Sequence, residues 1–388
     1  MFGSLSSELP GEEIISEEEI VPEDEIPPED DVIAEEEEEE EELPEEDTGK
    51  KEEEKEADPS LLVNVLEDIN ENSNSRKIKF KFSDPKSATS HCQGYARYRG
   101  VGYDFHLFPY SNVAGRYGYL LVESDATKSD GTAKHQFTLQ VPKTEITYKQ
   151  VSNNKDARHD PHFNHPCGFQ IFEDYLLVPV IPYQNTVASF YDAAVIYVYD
   201  LSPLKEPTPK APVLVNEDPI KIPKVNGASL SCIGVTQMQM PGGRYVMGLM
   251  TDNNLDIYFS SEYTHGLGSV KWESKPTYVY SLKTGDGKNK YQGMGFVFDD
   301  QKDLFVIGFD TRGGAYQNDY ADLYRLTDKD VWASDSELEP IAKKHLICKD
   351  GARFLYGGGL EVLGENKFRI YSTEEYHTSG GITINWFD

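Results

Sequence analysis

An all-β fold of five repeated sheets is what this chain predicts, and three observations carry the prediction. A glycine, a short apolar stretch, a tight turn and a hydrophobic strand recur as one phrase, opening at Gly94, Gly168, Gly234, Gly295 and Gly359. The spacings between those glycines, 74, 66, 61 and 64 residues, suit one small sheet repeated along the chain. The units are runs of aromatic and β-branched residues broken by turn residues, with almost no helical periodicity outside Pro59–Ile69. Together they predict a β-propeller, five four-stranded blades in a closed ring.

The elements follow in chain order. Residues 1–58 hold 28 acidic residues against three lysines, a charge of −25 out of the chain's −31, which leaves −6 for residues 59–388. Glu35–Glu42 is unbroken acid, and so polar a segment buries too little apolar area to offset its chain entropy. It reads as a disordered acidic tail. Residues 59–76 read as a linker in which Leu61, Leu62, Val65 and Leu66 make one short amphipathic helix. The domain proper runs from 77 to 388. It opens on Lys77–Phe82, whose strict alternation of apolar residues with lysines suits an outer edge strand.

In the second unit Glu173-Asp174 separates Phe169–Phe172 from Tyr175–Val180, and Ala194–Tyr199 is the third strand. The third unit turns at Pro241-Gly242-Gly243 and uses Tyr245–Met250 and Asp256–Phe259. The fourth uses Leu304–Phe309 and Asp322–Leu326, and the fifth Phe368–Tyr371 and Ile382–Trp386. The chain thus ends on a third strand while an orphan strand stands at its start. Pairing the two closes the ring and removes a sheet edge. Residues 123–160 are long enough for one more hairpin, so five is the smallest blade count the spacing admits.

Composition narrows the function classes. Tail and core are both net negative, which repels phosphates and argues against nucleic acid. No run reaches the ~18 apolar residues of a membrane span, and the first residues lack the basic and apolar regions of a secretory signal. Four cysteines are too few for a disulfide-built domain, so a cytoplasmic or nuclear location is expected. Aliphatic pairs such as Ile14-Ile15 and Val32-Ile33 give the tail a second reading, as a docking strip for a basic protein partner.

In a propeller the residues that precede each repeated glycine gather at one end of the channel, where a protein or small-molecule ligand would bind. Here the ligand-binding candidates are His91, Gln93, Tyr291 and Gln292, joined from the second-to-third strand loops by Asp310, Arg312, Glu374 and His377. The densest cluster of metal-ligating types is His159–Cys167. His162, His165 and Cys167, with His91, are the candidates for a single transition metal, although their spacing matches no established zinc signature.

Cys92, Cys167 and Cys232 occupy equivalent places in three units. They read either as small packing residues or as thiolates. Two enzyme readings therefore stand beside the binding module: a metal- or thiolate-dependent hydrolase or lyase at that funnel, and a glycoside hydrolase using Asp252, Asp310, Glu374 or Glu375. Phosphate-loop, nucleophile-elbow and His-Glu-x-x-His motifs are absent.

Overall fold

A computed structural model describes residues 61–79, 91–111, 117–129, 132–142, 144–145, 162–182, 194–222, 230–239, 243–251, 254–261, 266–283, 291–312, 318–374 and 381–388. The acidic tail lies outside the described residues. The described chain is a five-bladed β-propeller.

The inner strands are, blade by blade, His91–Cys92 with Ala96–Arg99, His162–Pro166 with Ile171–Phe172, Leu230–Gln237, Gly293–Phe298 and Ala352–Gly364. Each pairs antiparallel with a second strand, such as Leu304–Thr311, that is buried along most or all of its length. Both faces of these strands are covered by neighbouring blades, so their sequences are near-continuous apolar runs rather than alternations. Gln136–Gln140, inside the stretch left open for a sixth blade, is the outer strand of blade 1.

The ring closes as the strand count requires. Asn74–Ile78 adds to Ile382–Phe387, with Ile78 opposite Ile382 and Asn74 opposite Trp386. The closing strand therefore begins three residues before the alternating Lys77–Phe82 run; Phe80 and Phe82 lie outside the described residues. Asn385 is the physical reason. Its buried side-chain oxygen accepts from the Ser73 hydroxyl at 3.0 Å and from the Lys349 backbone N–H at 2.5 Å, which seats the chain one step ahead of Asn74. The helix forms at Leu61–Asp68, with Leu62 and Leu66 buried against the outer strand of blade 4, Ala342–Leu346.

The repeated glycines mark the waist of the channel, where the inner strands come too close for side chains. A Cβ on Gly94 would stand 2.8 Å from Gly168 Cα, and one on Gly293 3.0 Å from Gly358 Cα. At Gly359 it would meet the Tyr95 carbonyl oxygen at 2.0 Å. Blades 2 and 3 are joined there by backbone bonds, Gly168 N–H to Ser231 O and Ile233 N–H to Gly168 O, both 3.0 Å. The channel is shut at its waist, so each end of the ring is a separate depression.

A methyl group on Gly168 would lie 2.9 Å from Cys232 Cβ and 3.0 Å from both the Gln292 and Gln93 carbonyl oxygens. Two of those neighbours are backbone and cannot turn aside. Gly168→Ala is expected to cost about 1–3 kcal/mol of stability in urea unfolding; an unchanged midpoint would show that the waist can spread.

Candidate functional site

A wide depression lies at the end where the inner strands leave the waist, opposite the end to which the sequence points. It is a cavity of about 730 Å³ walled by all five blades: Ala96–Arg99, Gln170–Glu173, residues 235–239, residues 296–298 and residues 360–365. Gln170 is fixed at its base. The side-chain amide donates to Phe296 O at 3.0 Å and accepts from Phe296 N–H at 2.9 Å, reaching past blade 3 to blade 4. The wall above it is mixed: Ile171, Phe172, Met238 and Val362 supply apolar surface, and Thr236, Gln237 and Gln239 supply hydrogen-bonding groups.

One side of this cup is a charged lattice centred on Glu361, whose side chain is 8% exposed. Arg99 meets it at 3.0 Å, Arg97 at 3.5 Å and Arg369 at 4.0 Å, and the Tyr371 hydroxyl donates to it at 2.5 Å. Arg97 also pairs with Asp104. Burial and the Glu361 charge push the Tyr371 phenol up to about 12. Burial would lower the Arg97 guanidinium, but Tyr371, Asp104 and Glu361 raise it by more, so it stays charged. A carboxylate so surrounded is an anchor for arginines. The lattice suits holding a polar ligand against the cup's apolar wall.

At the other end the predicted residues form two groups. In the first, the His91 and His165 rings lie 5.1 Å apart, and the Gln93 amide nitrogen is 3.3 Å from His91 Nε2. Burial lowers the His91 pKa; burial and His91 together hold His165 at about 3, so both rings are neutral near pH 7. The Cys167 thiol sits against two backbone carbonyls, 3.3 Å from Leu230 O and 3.6 Å from His165 O. Burial raises the thiols of Cys92, Cys167 and Cys232, which keeps them as thiols. Their equivalent placement thus serves packing in the described structure. Among the described residues no three His, Cys, Asp or Glu side chains could hold a metal ion. The side chain of His162 lies outside the described residues.

In the second group the Tyr291 hydroxyl donates to Asp322 at 2.5 Å and stands 2.5 Å from the Tyr324 hydroxyl. Arg312 pairs with Asp322, approaches Asp310 at 3.5 Å and lies over the Tyr320 ring at 4.2 Å. Burial raises the Asp322 pKa against the pull of Tyr291 and Arg312. Gln292 donates its backbone N–H to Phe309 O at 3.1 Å, and Glu374 accepts from Thr383 N–H at 2.7 Å. His377, Asp252 and Glu375 lie outside the described residues.

The sequence reading missed the cup. One signal was present: Arg97 and Arg99 alternate in the first inner strand, an unusual place for two cations.

Two substitutions probe this electrostatic framework. Gln170→Leu leaves the Phe296 N–H and C=O buried without partners, an expected loss of about 1–3 kcal/mol per group in chemical unfolding. Glu123, 2% exposed in the third strand of blade 1, has its pKa pushed up to about 9 by burial, against an ordinary 4.5. The folded state then holds a proton that the unfolded chain releases between those values. Stability should fall as pH rises from 5 to 9, with this group contributing at most about 1.4 kcal/mol per pH unit. Glu123→Gln should flatten that slope; an unchanged slope in pH-dependent unfolding would show that Glu123 is not its source.

None of the protein-family models matches the chain, and no curated protein matches it. Similarity is found among solved structures. An α-L-arabinofuranosidase from Podospora anserina is 8% identical, with 82% of this chain and 96% of that one covered and a TM-score of 0.43. A GH43 endo-arabinanase from Bacillus licheniformis is 10% identical over 80% and 96%, with a TM-score of 0.41. A protein of unknown function from Dyadobacter fermentans is 11% identical over 79% and 80%, with a TM-score of 0.40. At such identities the likeness is one of β-propeller architecture.

Proposed function

We propose that this protein is a binding module that takes a peptide or small organic ligand into the cup where its inner strands leave the waist. The observation that carries this reading is the cup itself: about 730 Å³, blind at its base, with apolar and hydrogen-bonding residues from all five blades. A concave, mostly preformed site with a few convergent polar groups is the usual form of a ligand pocket. Arg97, Arg99 and Glu361 would orient a polar end, and Ile171, Phe172 and Val362 would cover an apolar one.

Sugar hydrolysis finds little support in the two proposed acids that lie among the described residues. Asp310 is buried beside Arg312, and Glu374 is engaged by the Thr383 backbone. Of the three acids lining the cup, Glu361 is held by arginines, Glu365 by Lys302, and Glu173 is exposed. A glycosidase needs two carboxyl groups facing one sugar, one of them able to give up a proton.

The test is selection of binders to the full-length chain from a random-peptide display library, followed by calorimetry of the selected peptides. Val362 is 46% exposed on the cup wall, so Val362→Arg should fill the site without disturbing the core. A loss of affinity of about tenfold or more in Val362→Arg is the expected result. Peptides that bind Val362→Arg like the parent, but fail to bind His91→Ala or Arg312→Ala, would move the site to the opposite end.

A further inference from the structure

Between blades 1 and 5, beside the cup and sharing only Arg97 with it, lies a second cavity of about 190 Å³. The seam here changes character along its length. Toward the inner-strand entry it is apolar, with Phe108, Leu121, Tyr95, Ile382 and Ile384 in contact. On the blade 1 side of the cavity, Arg97, His106, Glu123 and Gln136 instead sit opposite one another at successive register positions across the sheet. A row of four polar residues at a seam, His106 and Glu123 buried and Arg97 and Gln136 half-buried, has a desolvation cost that simple packing does not require.

We propose that this cavity binds a small organic carboxylate, its oxyanion taken by Arg76 and by His106 Nε2 and its apolar body by Trp386 and Ile384. Two groups point to an acceptor. His106 is 7% exposed; its Nδ1 is 2.6 Å from the Tyr95 hydroxyl, and its Nε2 has no hydrogen-bond partner among the described residues. The phenol is the better donor of that pair, so it donates to Nδ1 and Nε2 carries the ring hydrogen. Burial, with Arg76 and Arg97 nearby, keeps the ring neutral in the empty site. The second group is Arg76. Among the described residues its side chain makes one hydrogen bond, from Nη2 to a neutral acceptor, the Asp125 carbonyl at 2.8 Å. Arg97 and Arg369, also in the lining, already have Asp104 and Asp388.

The same lining defines the anion's class. Arg97 and Arg369 are matched by carboxylates, which leaves Arg76 as the guanidinium of the lining with no carboxylate partner among the described residues, and a single guanidinium suits a monoanion. A planar carboxylate matches the guanidinium fork. The indole of Trp386, with Ile384 and the Tyr371 ring, would cover a short apolar body, and about 190 Å³ admits nothing larger than one ring or a branched chain.

The experiment is calorimetric titration of the full-length chain with benzoate at neutral pH and low salt, beside benzyl alcohol and inorganic phosphate. Saturable one-site binding of benzoate, none of benzyl alcohol, and a loss of about tenfold or more in Arg76→Gln are expected. Arg76 is exposed and has no carboxylate partner among the described residues, so this variant should fold. In ¹⁵N-resolved spectra the His106 side-chain N–H should shift when benzoate is added.

Val362→Arg separates the two sites, since it fills the cup and should leave benzoate binding unchanged. Absence of saturable benzoate binding, equal binding of benzyl alcohol, unaltered affinity in Arg76→Gln, or loss in Val362→Arg would each overturn the assignment. Binding of phosphate without benzoate would overturn the organic carboxylate.

Discussion

The close approach of inner-strand backbones at the waist, with no room for a Cβ between blades 1 and 2, 4 and 5, or 5 and 1, is the constraint on which the rest of this molecule depends. Gly94 against Gly168, Gly293 against Gly358 and Gly359 against the Tyr95 carbonyl set how closely the inner strands converge. The backbone bonds between Gly168 and the Ser231–Ile233 stretch then fasten two blades directly. A propeller held open at its centre would have one continuous channel. Here closure at the waist converts it into two depressions with different walls, and any function at one end is structurally separate from the other.

Outside the waist, the blades are held by ordinary packing and by one long-range closure. Large side chains fill the spaces between sheets: Tyr197, Tyr199 and Phe169 in the cluster of blades 1–3, Phe296 and Tyr324 between blades 3 and 4, and Phe305, Phe309 and Phe354 between blades 4 and 5. Such seams need only volume and apolar surface. The seam between blades 5 and 1 is different, because blade 5 is completed by Asn74–Ile78 from the other end of the domain. There the chain uses directed bonds, Ser73 and Lys349 to Asn385, and one stretch of the seam is lined with arginine, histidine and carboxylate. Directed polar contacts specify register where apolar packing alone would tolerate slippage.

Charge is handled at the cup in the same economical way. Three arginines share one carboxylate at Glu361, and a tyrosine hydroxyl donates a hydrogen bond to the same group. Mutual restraint of several long side chains costs less ordering entropy per contact than isolated pairs would. The wall is thereby rigid before any ligand arrives, which is the property a binding site needs to avoid the cost of ordering itself on binding.

Legible in the sequence is the architecture: five glycine-led units, largely apolar second strands, and a strand at one end of the domain to complete a sheet at the other. These are local periodicities, and local periodicity survives without knowledge of the partners. The sequence also placed His91, Gln93 and His165 near one another, because equivalent positions in neighbouring blades become neighbours in space. Contacts between units set the Cys167 thiol against the Leu230 and His165 carbonyls and bring Tyr291 and Arg312 together on Asp322. They also form the cup at the opposite end. Gln170 and Phe296 are 126 residues apart, and Arg97 and Tyr371 are 274 apart. Which inner-strand side chains meet there depends on the tilt and close approach of five separate sheets, a geometry set by contacts between units that no single unit's pattern contains.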